Sequence, residues 1–155
     1  MLGCPSWKAW NIKNGGYMQK ILMIDDDLQI EREVFPLVEE AAKHHGWEAV
    51  FWNPGRVPEE SEIRQFMQEY EFGGDFPKKL GELFLNKVRQ ISPNLILLDN
   101  RLTHSAQYGV PLTAVIQSHC RNIRIYASSN KSWSPSIPHF DKYEPTDEAI
   151  NALFA

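Results

Sequence analysis

Two stretches of the sequence decide the fold: residues 20–27, KILMIDDD, and residues 94–101, NLILLDNR. Each contains an apolar run of strand length that ends abruptly on aspartate. A run without alternating polar positions is typical of a strand buried on both faces, as in a parallel sheet that helices cover on both sides. We therefore expect both runs to be central strands, with their aspartates at the edge of the sheet where the strands emerge.

The rest of the chain alternates between strand and helix patterns around these two runs. Further strands are predicted at residues 47–52 (WEAVFW), 123–127 (IRIYA) and 139–142 (HFDK), and apolar residues at helical spacing are found in residues 28–45, 58–72, 78–91, 109–120 and 146–154. Pro36 should interrupt the first of these helices. Strands that alternate with helices build βαβ units. The predicted fold class is α/β, a doubly wound five-stranded parallel sheet with helices on both faces.

Composition is that of a globular protein and argues against two classes of function. With 155 residues, 43% hydrophobic and 23% charged, we expect one domain over residues 18–155, preceded by a mobile leader at residues 1–17 that lacks an apolar period. A net charge of −4 leaves no basic surplus to neutralise phosphates, so direct nucleic-acid binding is not expected. Neither a bilayer-spanning run nor a signal-peptide pattern is found, so we expect a cytoplasmic protein without a membrane role.

Polar residues suited to phosphoryl chemistry stand at the carboxyl ends of the predicted strands. They are Asp25 and Asp26 after the first strand, Asp99 after the third, Ser128 after the fourth and Lys142 at the end of the fifth. Doubly wound sheets bind their ligands at these ends. Crowded carboxylates repel one another, and Mg²⁺, which prefers oxygen ligands, is the usual means of keeping them ionised. The pattern predicts a Mg²⁺ site at which a carboxylate attacks a phosphoryl group while a lysine neutralises charge.

Four segments of the chain resemble the successive strand-end motifs of the response-regulator receiver domain of two-component signalling. They are ILMIDDD (21–27), NLILLDNRL (94–102), IRIYASS (123–129) and DKYEPTDEAI (141–150). The resemblance extends over residues 20–155 and implies the flavodoxin-like receiver fold, with Mg²⁺ as cofactor. It also implies a histidine kinase or a phosphotransfer protein as phosphoryl donor and an unknown downstream protein partner, and it leaves a homodimer open.

The same resemblance implies roles for the acidic residues. Asp99 would be the phosphoacceptor of a phosphorelay. Asp26 would be a direct ligand of the metal, whereas Asp25 would act mainly through water. Arg101, two residues after the phosphoacceptor, would lend its backbone carbonyl to the same ion. On residue type alone the alternative remains that these carboxylates sit at helix N-termini or turns, where the helix dipole favours them.

The resemblance also assigns roles to a serine and a lysine, and the residues around the lysine differ from the family's pattern. Ser128 would bind the phosphoryl group, with the adjacent Ser129 as the other candidate, and Lys142 would form its ion pair. The family has proline after the lysine and an aromatic residue three positions before it. This chain has Tyr143 and His139 at those positions. The loop that sets the lysine is therefore expected to differ from the family's.

Two regions depart further from the family pattern. Residues 53–77 form an insertion after strand two, and residues 130–138 contain Pro135 and Pro138, which deny the fourth helix a regular form. The insertion carries an apolar stripe at helical spacing, consisting of Ile63, Phe66, Met67 and Tyr70. Such a stripe either remains exposed as a partner or self-association contact or packs onto the protein's own core. The sequence leaves both alternatives open.

We therefore expect a stand-alone receiver that takes a phosphoryl group onto Asp99 and is not a turnover enzyme. The alternative is a pseudo-receiver, a protein-interaction module whose binding does not depend on phosphate. A third hypothesis, a phosphatase of the haloacid-dehalogenase type, rests on Asp25 and Asp27 as an acidic pair after a strand. That family has threonine or valine two residues beyond the second aspartate, where this chain has Gln29.

Overall fold

The protein is built around a sheet of five parallel strands, seen in a computed structural model that describes residues 12–13, 16–56, 61–103 and 106–155. The strands are β3 (Gln19–Ile24), β4 (Trp47–Trp52), β5 (Leu95–Leu98), β6 (Arg124–Ser128) and β7 (His139–Phe140). Their order in the sheet is β4-β3-β5-β6-β7. This order is consistent with a flavodoxin-like fold, and the predicted doubly wound parallel sheet is confirmed.

Two short strands precede the main sheet. They are β1 (Ile12–Lys13) and β2 (Gly16–Tyr17), which pair antiparallel with each other. The rest of the leader predicted at residues 1–17 lies outside the described residues.

The helices occupy the predicted segments. They are α1 (Leu28–Glu33), α2 (Phe35–His44), α3 (Glu62–Glu71), α4 (Lys78–Ile91), α5 (Gly109–His119) and α6 (Asp147–Ala152). The first predicted helix is divided at Val34, with Pro36 in the opening turn of α2. Proline is tolerated there because the first amides of a helix have no partner within it. The helix predicted after Thr146 is confirmed, since the Thr146 hydroxyl accepts a hydrogen bond from the backbone N–H of Ala149.

The sheet is covered on both faces because its central strands are apolar on both faces. In β3, Leu22 and Ile24 pack in one cluster with α3, α4 and α5. Ile21 and Met23 pack in the other cluster, with α1, α2 and α6. All four residues of β5 are likewise buried. The predicted burial of these runs on both faces is confirmed, and their carboxyl ends are fixed by a rigid core.

Two helices, α3 and α4, connect β4 to β5, where one crossover helix would suffice. The apolar stripe of α3 packs onto the protein's own core: Ile63 and Met67 are buried, and Phe66 and Tyr70 are half-buried against the same cluster. The alternative in which this stripe remains exposed for a partner is therefore wrong. Apolar residues of α4 and of the segment before it cover the stripe, so its burial is intramolecular.

Residues 129–138, after β6, form turns and bends instead of a helix, as the prolines predict. Three serines in this segment bond to one another: Ser132 Oγ accepts from the N–H of Ser134, and the hydroxyls of Ser134 and Ser136 lie 3.0 Å apart. These local bonds replace part of the hydrogen bonding that a helix would supply. Within the described part of the chain, no helix has the length and apolar character needed to cross a membrane.

Candidate functional site

Strand register aligns three of the predicted site residues at the carboxyl edge of the sheet. Ile24 pairs with Leu98, and Leu98 pairs with Ala127, on adjacent parallel strands. The next positions on these strands are Asp25, Asp99 and Ser128. The ladder continues by one step, because the N–H of Asp99 donates to the carbonyl of Ile24 at 3.0 Å. Side chains alternate along a strand, so these residues lie at one level on the same face of the sheet.

Lys142 joins two of these residues from the turn that follows the edge strand β7, two residues after its end at Phe140. Its Nζ lies 2.7 Å from Asp25 Oδ2 and 3.1 Å from Asp99 Oδ1. The lysine side chain is only 3% exposed, and Asp25 is fully buried. Burial without charge partners would be expensive for an ammonium group, so its two carboxylate neighbours account for its position.

Asp25 and Asp26 are adjacent in sequence but play different geometric parts. Both oxygens of Asp25 are engaged, since Oδ1 accepts from the N–H of Asp27 at 3.0 Å and Oδ2 accepts from Lys142. Asp26 is exposed and lines the open side of the site. One oxygen from each of Asp25, Asp26 and Asp99 can be chosen so that all three lie within 4.8 Å of one another.

Electrostatics at this cluster favour bound protons or a bound cation. Burial and the charge of Asp25 raise the pKa of Asp99 to about 7, although Lys142 opposes the shift. Burial and the charge of Asp25 also raise the pKa of Asp26. Burial lowers the pKa of Lys142, but Asp25 and Asp99 outweigh it and raise that pKa above its ordinary value. The lysine therefore stays charged and only partly compensates the carboxylates.

The donor set suits a hard divalent cation. Carboxylate oxygens are the ligands that Mg²⁺ prefers, and a small ion needs only one or two of them because it retains water. Asp26 is exposed to the cleft, Asp99 lines the cleft with a side chain that is only 10% exposed, and Arg101 lies beside them. The backbone N–H of Arg101 donates a long hydrogen bond to Asp99 Oδ1 at 3.4 Å, and Lys142 Nζ lies 3.1 Å from the same oxygen.

These groups form the floor of an open cleft of about 560 Å³. Its lining combines acids, amides and cations: Asp26, Asp27, Asp99, Asn100, Arg101, Gln107, Ser129, Asn130, Lys131, Lys142 and Tyr143. Tyr143 is 62% exposed at its rim, and the Lys142 ammonium lies 5.4 Å from the centre of the Tyr143 ring.

The two candidate hydroxyls occupy different places. Ser128 shares the register of Asp99, is fully buried, and its Oγ has no hydrogen-bond partner among the described residues. Ser129 lines the cleft, and its hydroxyl lies 3.4 Å from Asn130 Oδ1. A buried hydroxyl without a partner costs free energy. Ser128 is therefore the hydroxyl with an unused donor at the level of Asp99.

Neither the protein-family models nor the curated proteins compared with this chain match it.

One set of contacts beside the site was not predicted from the sequence. Asn100, which follows Asp99, accepts a hydrogen bond on Oδ1 from the N–H of Gly109, the first residue of α5, at 2.8 Å. The Trp133 ring covers the same glycine, and its Nε1 is buried without a hydrogen-bond partner in the described chain. The segment of residues 129–138 is thus packed against Gly109, whose N–H bonds to the residue after Asp99. The sequence shows only that Trp133 lies in the proline-containing loop that follows Ser128.

We expect Gly109→Ala to destabilise the protein by about 1–3 kcal/mol, the usual cost of overpacking. An alanine Cβ at this position would lie 2.5 Å from the Trp133 ring and 2.7 Å from Asn100 Oδ1. Urea unfolding measures the change, and tryptophan emission reports displacement of Trp133. Gly74→Ala is the matched control, because its Cβ would meet only one atom, at 4.0 Å. Equal stability of the two variants would contradict the close packing at Gly109.

Proposed function

We propose that the protein is a phosphoacceptor receiver of the response-regulator type, which takes a phosphoryl group onto Asp99 in a phosphorelay. One observation carries the proposal: Lys142 is buried between Asp25 and Asp99, at 2.7 and 3.1 Å, beneath a cleft that Asp26 also lines. A purely structural ion pair needs neither a third carboxylate nor an opening to solvent. The arrangement provides a nucleophile, a fixed cation and carboxylates for a metal in one place.

Asp99 is the group placed to react. One of its carboxylate oxygens attacks the phosphorus atom, in line with the bond to the leaving group. An O–P bond forms on Asp99, and the P–N bond of a phosphohistidine, or the P–O bond of an acyl phosphate, breaks. The electron pair of the broken bond stays on the leaving nitrogen or oxygen. Lys142 then neutralises charge on a phosphoryl oxygen, and the unused hydroxyl of Ser128 donates to another.

Mg²⁺ would be held by Asp26 and Asp99 directly, by Asp25 through water and by the backbone carbonyl of Arg101. When bound, it supplies positive charge that keeps the carboxylates ionised and neutralises phosphoryl oxygens. Asp25 contributes mainly by holding Lys142, since both of its oxygens are already engaged.

The donor would be a phosphohistidine on a histidine kinase or on a phosphotransfer protein. The cleft is open on the side of Asp26 and Tyr143, so the side chain of another protein can reach Asp99. The downstream partner would recognise a surface that changes when Asp99 is charged.

A phosphate-independent interaction module is the second candidate, favoured by the absence of a helix between β6 and β7 and by Tyr143 after Lys142. The phosphatase alternative is weaker. Its second acid would be Asp27, but that carboxylate caps α1 by accepting the N–H of Gln29 at 2.8 Å. A residue engaged as a helix cap is poorly placed to protonate a leaving group.

Intact-protein mass spectrometry tests the proposal. The protein is incubated with Mg²⁺ and a small acyl phosphate. In two parallel controls, either Mg²⁺ or the acyl phosphate is omitted. We expect one added phosphoryl group that requires both and that is lost at alkaline pH, as an acyl phosphate is. A protein that stays unmodified under all conditions would favour the interaction module. Continued hydrolysis of a generic phosphate ester would favour the phosphatase.

We expect Asp26→Ala to weaken Mg²⁺ binding by about tenfold or more, and Asp25→Ala to weaken it less. The reason is that Asp26 lines the cleft whereas both oxygens of Asp25 are engaged, and a lost direct ligand costs more than a lost water-mediated one. Calorimetric titration with Mg²⁺ measures both affinities. Asp27→Ala serves as the control for a neighbouring carboxylate. Equal or reversed effects for Asp25 and Asp26 would contradict the assignment of ligands.

A further inference from the structure

The last turn of α3 holds the loop that follows Asp99. The Tyr70 hydroxyl donates to the backbone carbonyl of Gln107 at 2.5 Å, and Glu71 Oε2 accepts the N–H of Ala106 at 3.2 Å. Gln107 also lines the cleft. One side of this loop therefore faces the site, while α3 bonds to its backbone.

The Tyr70 hydroxyl is fixed because its ring is packed edge-on between two other aromatic rings. The ring centre lies 5.1 Å from Tyr108 and 5.1 Å from Phe76, with interplanar angles of 84° and 86°. Tyr108 is fully buried. Edge-to-face contacts of this kind restrict the ring as well as adding stability. The hydroxyl that bonds to the Gln107 carbonyl therefore belongs to a ring held in place by its aromatic neighbours.

The loop is closed at its other end on the residue next to Asp99. The N–H of Tyr108 donates to the backbone carbonyl of Asn100 at 2.6 Å, and the N–H of Gly109 donates to Asn100 Oδ1 at 2.8 Å. A displacement of Gln107 and Tyr108 must therefore move Asn100 as well. Asn100 lies between Asp99 and Arg101, two of the residues proposed to contact the metal directly.

We infer that Tyr70 is a positioning residue: through the Gln107 carbonyl it sets the loop that places Asp99 and Arg101 for Mg²⁺. The inference rests on the proposed function. It gives the insertion a role at the site, whereas its apolar stripe, buried in the core, is not free to contact a partner. The competing explanation is that Tyr70 only stabilises the fold, as a half-buried aromatic residue does anywhere in a core.

Tyr70→Phe separates the two explanations because it removes the hydroxyl and keeps the ring. We expect the dissociation constant for Mg²⁺, measured by calorimetry, to rise about fivefold, the factor that corresponds to one lost hydrogen bond. We also expect amide hydrogen exchange to become faster at Tyr108 and Gly109, with a urea midpoint lowered by no more than one lost hydrogen bond explains. Tyr126→Phe is the matched control, since Tyr126 packs on the opposite face of the sheet.

Three outcomes contradict the inference or the proposal on which it rests. Unchanged Mg²⁺ affinity together with unchanged exchange at Tyr108 and Gly109 overturns the role of Tyr70. Faster exchange with unchanged affinity overturns it too, because the hydroxyl would then order the loop without serving the site. Wild-type protein that binds no Mg²⁺ contradicts the proposed function instead, and the exchange rates still decide whether Tyr70 holds the loop.

Discussion

Asp99→Asn should abolish phosphoryl incorporation, lowering its rate by about a thousandfold or more, while the protein stays folded. The amide preserves the size of the side chain and can still accept a hydrogen bond from Lys142, but it lacks the nucleophilic carboxylate. Mass spectrometry after incubation with Mg²⁺ and a small acyl phosphate measures the labelling. Asp75→Asn, in an exposed loop, controls for loss of a charge. Labelling of the Asp99 variant at the wild-type rate would place the phosphoacceptor elsewhere.

The same variant should be more stable than the wild type at neutral pH in the absence of metal. The pKa of Asp99 is raised from 3.8 to about 7, so the folded state binds more protons than the unfolded state between these values. The free energy of unfolding of the wild type should therefore fall as pH rises from about 4 to about 7. Since one pKa unit corresponds to about 1.4 kcal/mol, the fall should be on the order of a few kcal/mol. Urea unfolding at several pH values should show a smaller slope for Asp99→Asn.

Mg²⁺ should make the wild type more stable than Asp99→Asn, the reverse of the order expected without metal. A ligand that binds only the folded state adds stability in proportion to the logarithm of its concentration over its dissociation constant. The wild type gains this term, whereas Asp99→Asn loses a carboxylate ligand and gains less. If both proteins show the same pH slope, the raised pKa belongs to another group, with Asp26 as the next candidate.

The fold was predictable because the spacing of apolar residues along the sequence differs between helices and buried strands. The runs around Leu22 and Leu97 are apolar at every position, and this feature alone requires a sheet covered on both faces. Pro36 and Thr146 marked the break and the start of helices through backbone chemistry that acts locally. Strand β7 is shorter than predicted, because Asp141 turns the chain by accepting the N–H of Tyr143.

The site was predictable only as far as strand ends determine it. Asp25, Asp99 and Ser128 meet because parallel register brings consecutive strand ends together. The contacts of Tyr70 with Gln107 and of Trp133 with Gly109 join segments that are distant in sequence. Amphipathic spacing indicates that one face of a helix is apolar but does not identify what covers that face. The stripe of α3 was therefore compatible both with packing onto the protein's own core and with exposure to a partner.

Lys142→Met should have the largest effect on stability, lowering the free energy of unfolding by about 3–5 kcal/mol at neutral pH. The substitution keeps most of the side-chain volume and removes the ammonium that lies 2.7 Å from Asp25 and 3.1 Å from Asp99. Two carboxylates would then share a buried site without a cation. The rate of phosphoryl incorporation should also fall by about 100-fold, as for loss of a group that stabilises transition-state charge. Lys131→Met, an exposed lysine of the same cleft, is the control.

A double variant shows whether the loss comes from the carboxylates or from packing. Asp25→Asn removes the fully buried charge that Lys142 compensates, so Lys142→Met combined with Asp25→Asn should recover most of the lost stability. The deficit of the single variant should also shrink as pH falls toward about 7, because the loss of Lys142 raises the pKa of Asp99 above its wild-type value and a protonated Asp99 needs no cation. A deficit that is independent of pH and unchanged in the double variant would mean that the aliphatic part of Lys142 matters more than its charge. Recovery of stability without recovery of labelling is the expected result, since the phosphoryl oxygens would still lack their cation.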